Sequence, residues 1–359
     1  MHPKKLKTLV ILTPGFPANE EDSTCVPPQQ IFVKALKEAN PGVNIIVLAF
    51  RYPFFSKEYQ WNGVKIISFG EPTHTRFLRL FTGFRVWRTL KKLHKEHHII
   101  GLLSFWLGNA ALTGSRFAKK YNLIHYSWIL GQDAKKGNKY VKQIKPAGES
   151  LIALSDFIVR EFNKNYGIKP AHIIPVGIDP SLFSAVNIER DIDVLGAGSL
   201  IPLKQYPVFM EVINELKQSL PGIKSVICGD GPGIKQLNIM AENMSLKDNI
   251  SFVGRLAHKE VLATMQRSKV FLHTSDYEGF GAVCLEALYA GAHVVSFVKP
   301  MDIAIPNWHI AVDKVDMIQI VKAILLNPDT VYTSIMTYPI QANTKAAIKL
   351  FDYSEEAIS

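Results

Sequence analysis

The chain is 359 residues long, 47% hydrophobic and 20% charged, a length for about two domains and a composition that excludes disordered, collagen-like and low-complexity chains. Its three cysteines, Cys25, Cys228 and Cys284, lie far apart without a Cys-x-x-Cys pair, so neither a disulfide framework nor a structural zinc site is expected. The net charge of +10 is unevenly placed: residues 1–189 hold 26 basic and 13 acidic side chains, residues 190–359 hold 15 and 18. In chain order, apolar runs of strand length stand at Thr8–Leu12, Asn44–Ala49, Val64–Phe69, Ile99–Ser104, Leu123–Trp128, Leu151–Leu154 and His172–Ile174. Helical periodicity fills most of the intervals, as at Gln29–Ala39 and at Ser155–Asn165, where Ser155 is an N-cap. The second half repeats the scheme, with strands predicted at Asp193–Gly196, Ser225–Cys228, Ile250–Val253, Val270–His273 and His293–Phe297. Helices are predicted there at Pro207–Leu220, Ile234–Met244, His258–Arg267 and Ala282–Ala290.

Near-continuous apolar strands alternating with helices specify parallel sheets covered on both faces. Two α/β, doubly wound, Rossmann-like domains facing each other across a cleft are therefore expected. The turn-rich stretch Pro175–Arg190 coincides with the change of charge and places the boundary between 1–185 and 186–359, with a return of the C-terminal helix to the first domain left open. Leu9–Leu12 after Lys4, Lys5 and Lys7 is too short for a signal peptide core and reads as a strand. The uncharged stretch Ile99–Ser115 is broken by Gly101, Gly108 and Gly114 and falls short of a membrane span. A cytoplasmic location is expected from the cysteine usage, with the basic half facing an anionic partner.

That half contains one segment with a specific pattern. Arg76, Arg79, Arg85, Arg88, Lys91, Lys92 and Lys95 stand there without an acidic neighbour, interleaved with Phe77, Phe81, Phe84 and Trp87 at near-helical spacing. Such a helix suits the surface of an anionic membrane, which would make the protein peripheral at the inner face. The alternative is an ordinary helix with its aromatic stripe on the sheet and its basic face in water. No nucleic-acid recognition motif accompanies the charge, and no nucleic-acid partner is expected.

The strongest local signal lies at Ser275–Leu288, where a strand runs through a glycine loop into a helix. Gly279 and Gly281 allow a ligand close to the backbone, and a helix start offers amides to an anion. Glu278 precedes the helix and Glu286 lies on it, on the order of 9 Å further along the axis. Two carboxylates so spaced can hold hydroxyls at the two ends of a sugar–diphosphate–nucleoside.

The order of motifs resembles the donor-binding domain of glycosyltransferase family 4, over most of residues 150–296. Glu278 and Glu286 occupy the ends of that family's Glu-x7-Glu motif. Ile250–Arg255, Cys228–Pro232, Gly198–Leu200 with Lys204, and Ile174–Asp179 match further segments. The resemblance implies a GT-B fold and transfer from a nucleotide diphosphate-sugar with retention of anomeric configuration. It implies no metal and no cofactor beyond the nucleotide-sugar co-substrate.

Lys204 stands at the family's phosphate-binding lysine and Ser199 at its arginine, with Arg255 a candidate for the missing charge. Glu278 would contact the sugar and Glu286 the ribose. Gly279, Phe280 and Gly281 complete the donor side, together with Gly15 after the first strand. Asp133, in a segment similar to the family's His-Gly-x-Asp, is the acceptor-side catalytic candidate. The nearby His125 reads as structural.

The expected activity is hexose-type transfer to a lipid-linked or polysaccharide-precursor acceptor, with the nucleotide base left open. A non-catalytic nucleotide-sugar or glycan binder, or a sugar-nucleotide epimerase, are the alternatives.

Overall fold

The computed structural model describes residues 5–70, 76–184 and 188–352, with side chains except at 76–80 and 352. Two compact units divide the chain: Met1–Gly177 with Tyr338–Ser359, and Ile178–Thr337. The expected boundary at 185/186 lies outside the described residues; the units part at Gly177, inside the turn-rich stretch but eight residues earlier.

The first unit runs β1 (Lys7–Gly15), α1 (Pro27–Ala39), β2 (Asn44–Tyr52), β3 (Ser56–Trp61), β4 (Val64–Phe69), α2 (Arg76–Glu96) and β5 (His98–Phe105). It continues through α3 (Asn109–Tyr121), β6 (His125–Ile129), α4 (Lys139–Ile144), β7 (Leu151–Ala153), α5 (Asp156–Tyr166) and β8 (His172–Ile173). The sheet order is β3-β4-β2-β1-β5-β6-β7-β8, parallel except for β3. Leu9–Leu12 and Ile45–Phe50 are buried on both faces, which is why these strands read as unbroken apolar runs. On one face Val10, Leu12, Ile46 and Leu48 pack with Val86 and Leu90 of α2 and Phe117 of α3. Ser155 caps α5, its hydroxyl accepting from the Ile158 amide at 3.2 Å.

The second unit runs β9 (Ile192–Ala197), α6 (Tyr206–Ser219), β10 (Ser225–Cys228), α7 (Ile234–Asn243), β11 (Ile250–Gly254), α8 (His258–Gln266) and β12 (Ser268–His273). Then follow α9 (Ala282–Tyr289), β13 (His293–Ser296), β14 (Trp308–Ile310) and α10 (Lys314–Leu326). Its sheet, β11-β10-β9-β12-β13-β14, is wholly parallel. Val194, Leu272 and Val295 pack under Phe209, Met210, Ile213 and Leu216 of α6 and Met317 and Val321 of α10.

The last helix, α11 (Ile340–Asp352), belongs to the first unit. Asn343 Nδ2 donates to the Pro175 carbonyl at 2.7 Å. The Phe351 ring lies where a Cβ on Gly101 would stand, 2.3 Å away, so only glycine there admits it. Each sheet turns at its first strand: β2 and β5 flank β1, and β10 and β12 flank β9. Loops leaving the carboxyl ends at such a switch point diverge and open a ligand crevice. The candidates Lys204 and Glu278 stand on such loops, and Gly15 is the last residue of β1.

Candidate active site

In the second unit three loops are held backbone to backbone. The Gly198 amide donates to the Cys228 carbonyl at 2.9 Å, the Leu200 amide to the Asp230 carbonyl at 3.0 Å, and the Gly229 amide to the Gly254 carbonyl at 2.7 Å. A Cβ on Gly229 would fall 1.9 Å from the Gly198 oxygen, and its φ of 152° is open chiefly to glycine. The Gly-Asp-Gly-Pro segment is thus the sequence trace of two loops in contact. Thr274 Oγ1 donates to the Lys204 carbonyl at 2.8 Å and Gln205 Nε2 to Asp276 at 3.0 Å, which fastens the loop after β12 to the loop after β9.

On this frame Lys204 Nζ meets Glu278 Oε2 at 2.8 Å, both side chains mostly buried. His273, buried at the end of β12, places Nε2 3.5 Å from the same oxygen. At that distance the imidazole gives the carboxylate only a long, weak hydrogen bond. Burial alone would raise the Glu278 carboxyl; His273 and Lys204 outweigh it and hold the group down at about 2. Burial also keeps the His273 imidazole below its ordinary range, so at neutral pH it is uncharged. The carboxylate is ionised and the lysine beside it is the charge available to an anion.

The second carboxylate of the motif has a different partner. Glu286, buried on α9, accepts or shares a proton with His258 Nε2 at 2.8 Å. Burial would lower the histidine, but the Glu286 carboxylate raises it above the usual value. Gly281 caps α9 with φ 84°; a Cβ there would lie 3.3 Å from Cys284 Sγ and 3.5 Å from Glu278 Cγ. Gly279 is buried, and so is Phe280, whose ring sits 6.2 Å from Trp308. Phe280 therefore supports the loop from beneath. Ser199 is exposed on the tip after β9. Arg255 is exposed between β11 and α8, and among the described residues nothing pairs with it or brings it to Lys204.

The first unit carries the other candidates. Gly15 ends β1, with room for a Cβ only 3.3 Å from that of Tyr52. Asp133 is buried, and its carboxylate accepts main-chain amides from Leu107 at 2.8 Å, Leu130 at 3.0 Å and Gly131 at 2.9 Å. Burial raises it to about 6 against the pull of those amides. Asp133 thus knits the loop after β5 to the loop after β6, a structural task that the resemblance does not suggest. His125 Nε2 lies 2.9 Å from Ser104 Oγ and is pushed down to about 4 by burial, a structural histidine.

The basic helix is α2. The side chains of Arg76, Phe77 and Arg79 lie outside the described residues. Arg88, Lys91, Lys92 and Lys95 are exposed, while Trp87 turns inward and packs on Phe117.

Sequence reasoning passed over His258 and His273. His273 reads as the polar end of an apolar strand. His258 reads as a helix-opening residue, and no spacing ties it to Glu286. Among the described residues no group of three or more His, Cys, Asp or Glu is placed to hold a metal ion. Among them, too, no helix is long and apolar enough to cross a membrane.

Comparison with known proteins identifies the family and the fold. The family model "Glycosyltransferase Family 4" matches residues 32–182 and "Glycosyl transferases group 1" matches residues 180–323. The gpi3 subunit of phosphatidylinositol N-acetylglucosaminyltransferase from Schizosaccharomyces pombe is 30% identical over 284 residues, 74% of this chain and 61% of that protein. The chain spans less than two thirds of the length of the curated relatives it matches first. Sucrose-phosphate synthase from Thermosynechococcus elongatus has the same fold, with a TM-score of 0.70 at 17% identity over 97% of this chain and 96% of that one. So does HepE from Anabaena, solved with UDP and glucose, with a TM-score of 0.67 at 14% identity over 98% and 99%. Two Rossmann-like units, the Glu278–Glu286 motif on its loop and helix, and two family models running from residue 32 to 323 place this chain among the GT-B glycosyltransferases of the family 4 type.

Proposed function

We propose that the chain transfers a hexose-type sugar from a UDP-sugar to a lipid-linked acceptor, with retention of anomeric configuration. The observation that carries this is the pairing of an ionised Glu278 with Lys204 on loops at the carboxyl end of β9 and β12, with Glu286 set one helix turn and more beyond. The ion pair is a ready exchange: a diphosphate takes Lys204 and the sugar hydroxyls take Glu278. As the bond to the leaving diphosphate breaks, Lys204 meets the growing negative charge; its side chain is mostly buried, and away from bulk water that charge is worth most. Glu286 accepts from the ribose hydroxyls. The choice of uridine is supported by the neighbour solved with UDP and glucose, and a lipid acceptor by the yeast relative, whose name specifies phosphatidylinositol.

The acceptor is inferred to reach the protein at an anionic membrane surface, which α2 faces with Arg88, Lys91, Lys92 and Lys95. A non-catalytic nucleotide-sugar binder differs in one measurable respect. UDP and UDP-sugars are expected to raise the unfolding temperature, because they bind only the native state. Incubation with UDP-sugar and a lipid acceptor is then expected to release UDP and give an α-linked product by NMR. Binding without any transfer or hydrolysis across UDP-sugars and GDP-sugars would leave the binder.

A further inference from the structure

Along the antiparallel edge of the first unit, between α2 and the β3–β4 hairpin, runs a groove of about 550 Å³. Lys57, Arg85, Arg88 and Lys92 line it, with Glu58. The one acidic group is already matched, by Lys65 at 2.8 Å. Arg85 forms the floor: its guanidinium donates to the Phe69 carbonyl at 3.0 Å and to Ser56 Oγ, and lies 5.5 Å over the Phe69 ring. Lys57, Arg88 and Lys92 stand exposed around it.

Bare aromatic side chains stand on the segments that flank this lining. Phe54 and Phe55 in the loop before β3 are 62% and 42% exposed, Phe81 and Phe84 on α2 are 55% and 57% exposed. Arg85 joins the two pairs, since it bonds Ser56 next to Phe55 and lies 6.0 Å from the Phe81 ring. On α2 itself, Phe81, Phe84, Arg88, Lys91, Lys92 and Lys95 fall within about 100° of arc at 3.6 residues per turn. Thr82, Val86, Leu90 and Leu93 form the opposite, buried face. Exposed phenylalanines beside cations are costly in water and favourable at a bilayer interface, where the rings enter the acyl boundary and the cations remain at the phosphates.

We propose that this groove is a headgroup site for an anionic phospholipid in a bilayer, with Phe54, Phe55, Phe81 and Phe84 entering the interface around it. The proposal deepens the membrane-surface reading of α2 and rests on it: it adds a second element, the loop before β3, and a defined place for one phosphate. Lys57, Arg88 and Lys92 contact that phosphate while Arg85 holds the groove open.

The test is partition onto phosphatidylcholine vesicles with and without phosphatidylglycerol, read by co-sedimentation. Wild-type protein is expected to bind only the mixed vesicles and to leave them as salt is raised. Lys57→Gln, Arg88→Gln and Lys92→Gln together should lower partition roughly 100-fold, three charges at about 1 kcal/mol each. The pair Phe54→Ser and Phe55→Ser should lower it too. A charge-matched control, Lys119→Gln, Lys142→Gln and Lys145→Gln, should lose far less, and thermal unfolding of every variant checks the fold. A Phe54→Trp variant should be quenched by brominated acyl chains in the mixed vesicles. Glycerol phosphate in solution should not displace the protein; displacement would overturn the bilayer as the source of the phosphate. If the wild type binds but groove and control variants lose equally, the groove is not a site and only the diffuse surface reading stands. Failure of the wild type to bind at low salt overturns both.

Discussion

At the residue scale the two carboxylates of the motif differ in their partners, and so should their substitutions. Glu278 neutralises Lys204, so Glu278→Gln frees the lysine: affinity for bare UDP is expected to hold or tighten while affinity for the sugar-bearing donor falls. Equal loss for both ligands by calorimetry would remove Glu278 from the sugar side. Glu286→Ala should weaken bare UDP by about 1.5–3 kcal/mol, the value of a hydrogen bond to a charged group. His258 adds a pH dependence with a defined sign. Its folded value is raised by Glu286, so the pair's stabilisation is complete below the ordinary histidine value and is lost as pH rises through the raised one. Unfolding temperature measured against pH should therefore fall across the neutral range relative to His258→Gln, which keeps a donor but does not titrate. Parallel curves for the two proteins would mean that His258 does not charge in the folded state.

At the scale of elements, the tightest constraint is the contact of the loops after β9 and β10. Gly229→Ala would drive a methyl to within 1.9 Å of the Gly198 oxygen at a φ of 152°. The expected loss is about 1–3 kcal/mol of stability from strain, together with UDP affinity if these loops form the donor site as proposed. A variant that unfolds as the wild type does would show that the loops part at no cost. Such contacts are partly legible beforehand. The glycines of Cys228–Pro232 and Gly198 were visible as a pattern, but what they touch was not, because the contact joins residues some thirty positions apart. Strands buried on both faces were legible for the same reason that they are stable: each is an uninterrupted apolar run. β3 was not, since Ser56–Gln60 is a polar edge strand, although Asn62–Gly63, with φ of 44° and 71°, is the hairpin turn that could have disclosed it. Asp133 was legible as a conspicuous acid and not as a loop fastener, because its three amide partners come from backbone that sequence does not locate.

At the scale of the whole molecule, chain order and compact units do not coincide. The change in charge and the turn-rich stretch after Pro175 marked the first crossing, but nothing in the composition of Tyr338–Asp352 marks the second. That segment is an amphipathic helix like the others, and only its contacts assign it. Ile340, Ile348 and Phe351 are buried there, each contributing about 1.5–3 kcal/mol, and Asn343 ties the helix to Pro175. Removal of residues 338–359 should therefore lower the stability of the first unit by several such contributions and leave the second unit's own core intact. Scanning calorimetry with and without UDP separates the two, because the nucleotide raises only the transition of the unit that binds it. In the shortened chain the UDP-insensitive transition is expected to drop or vanish while the UDP-sensitive one stays in place. If both transitions fall together by the same amount, α11 stabilises the chain as a whole, and its assignment to the first unit is wrong.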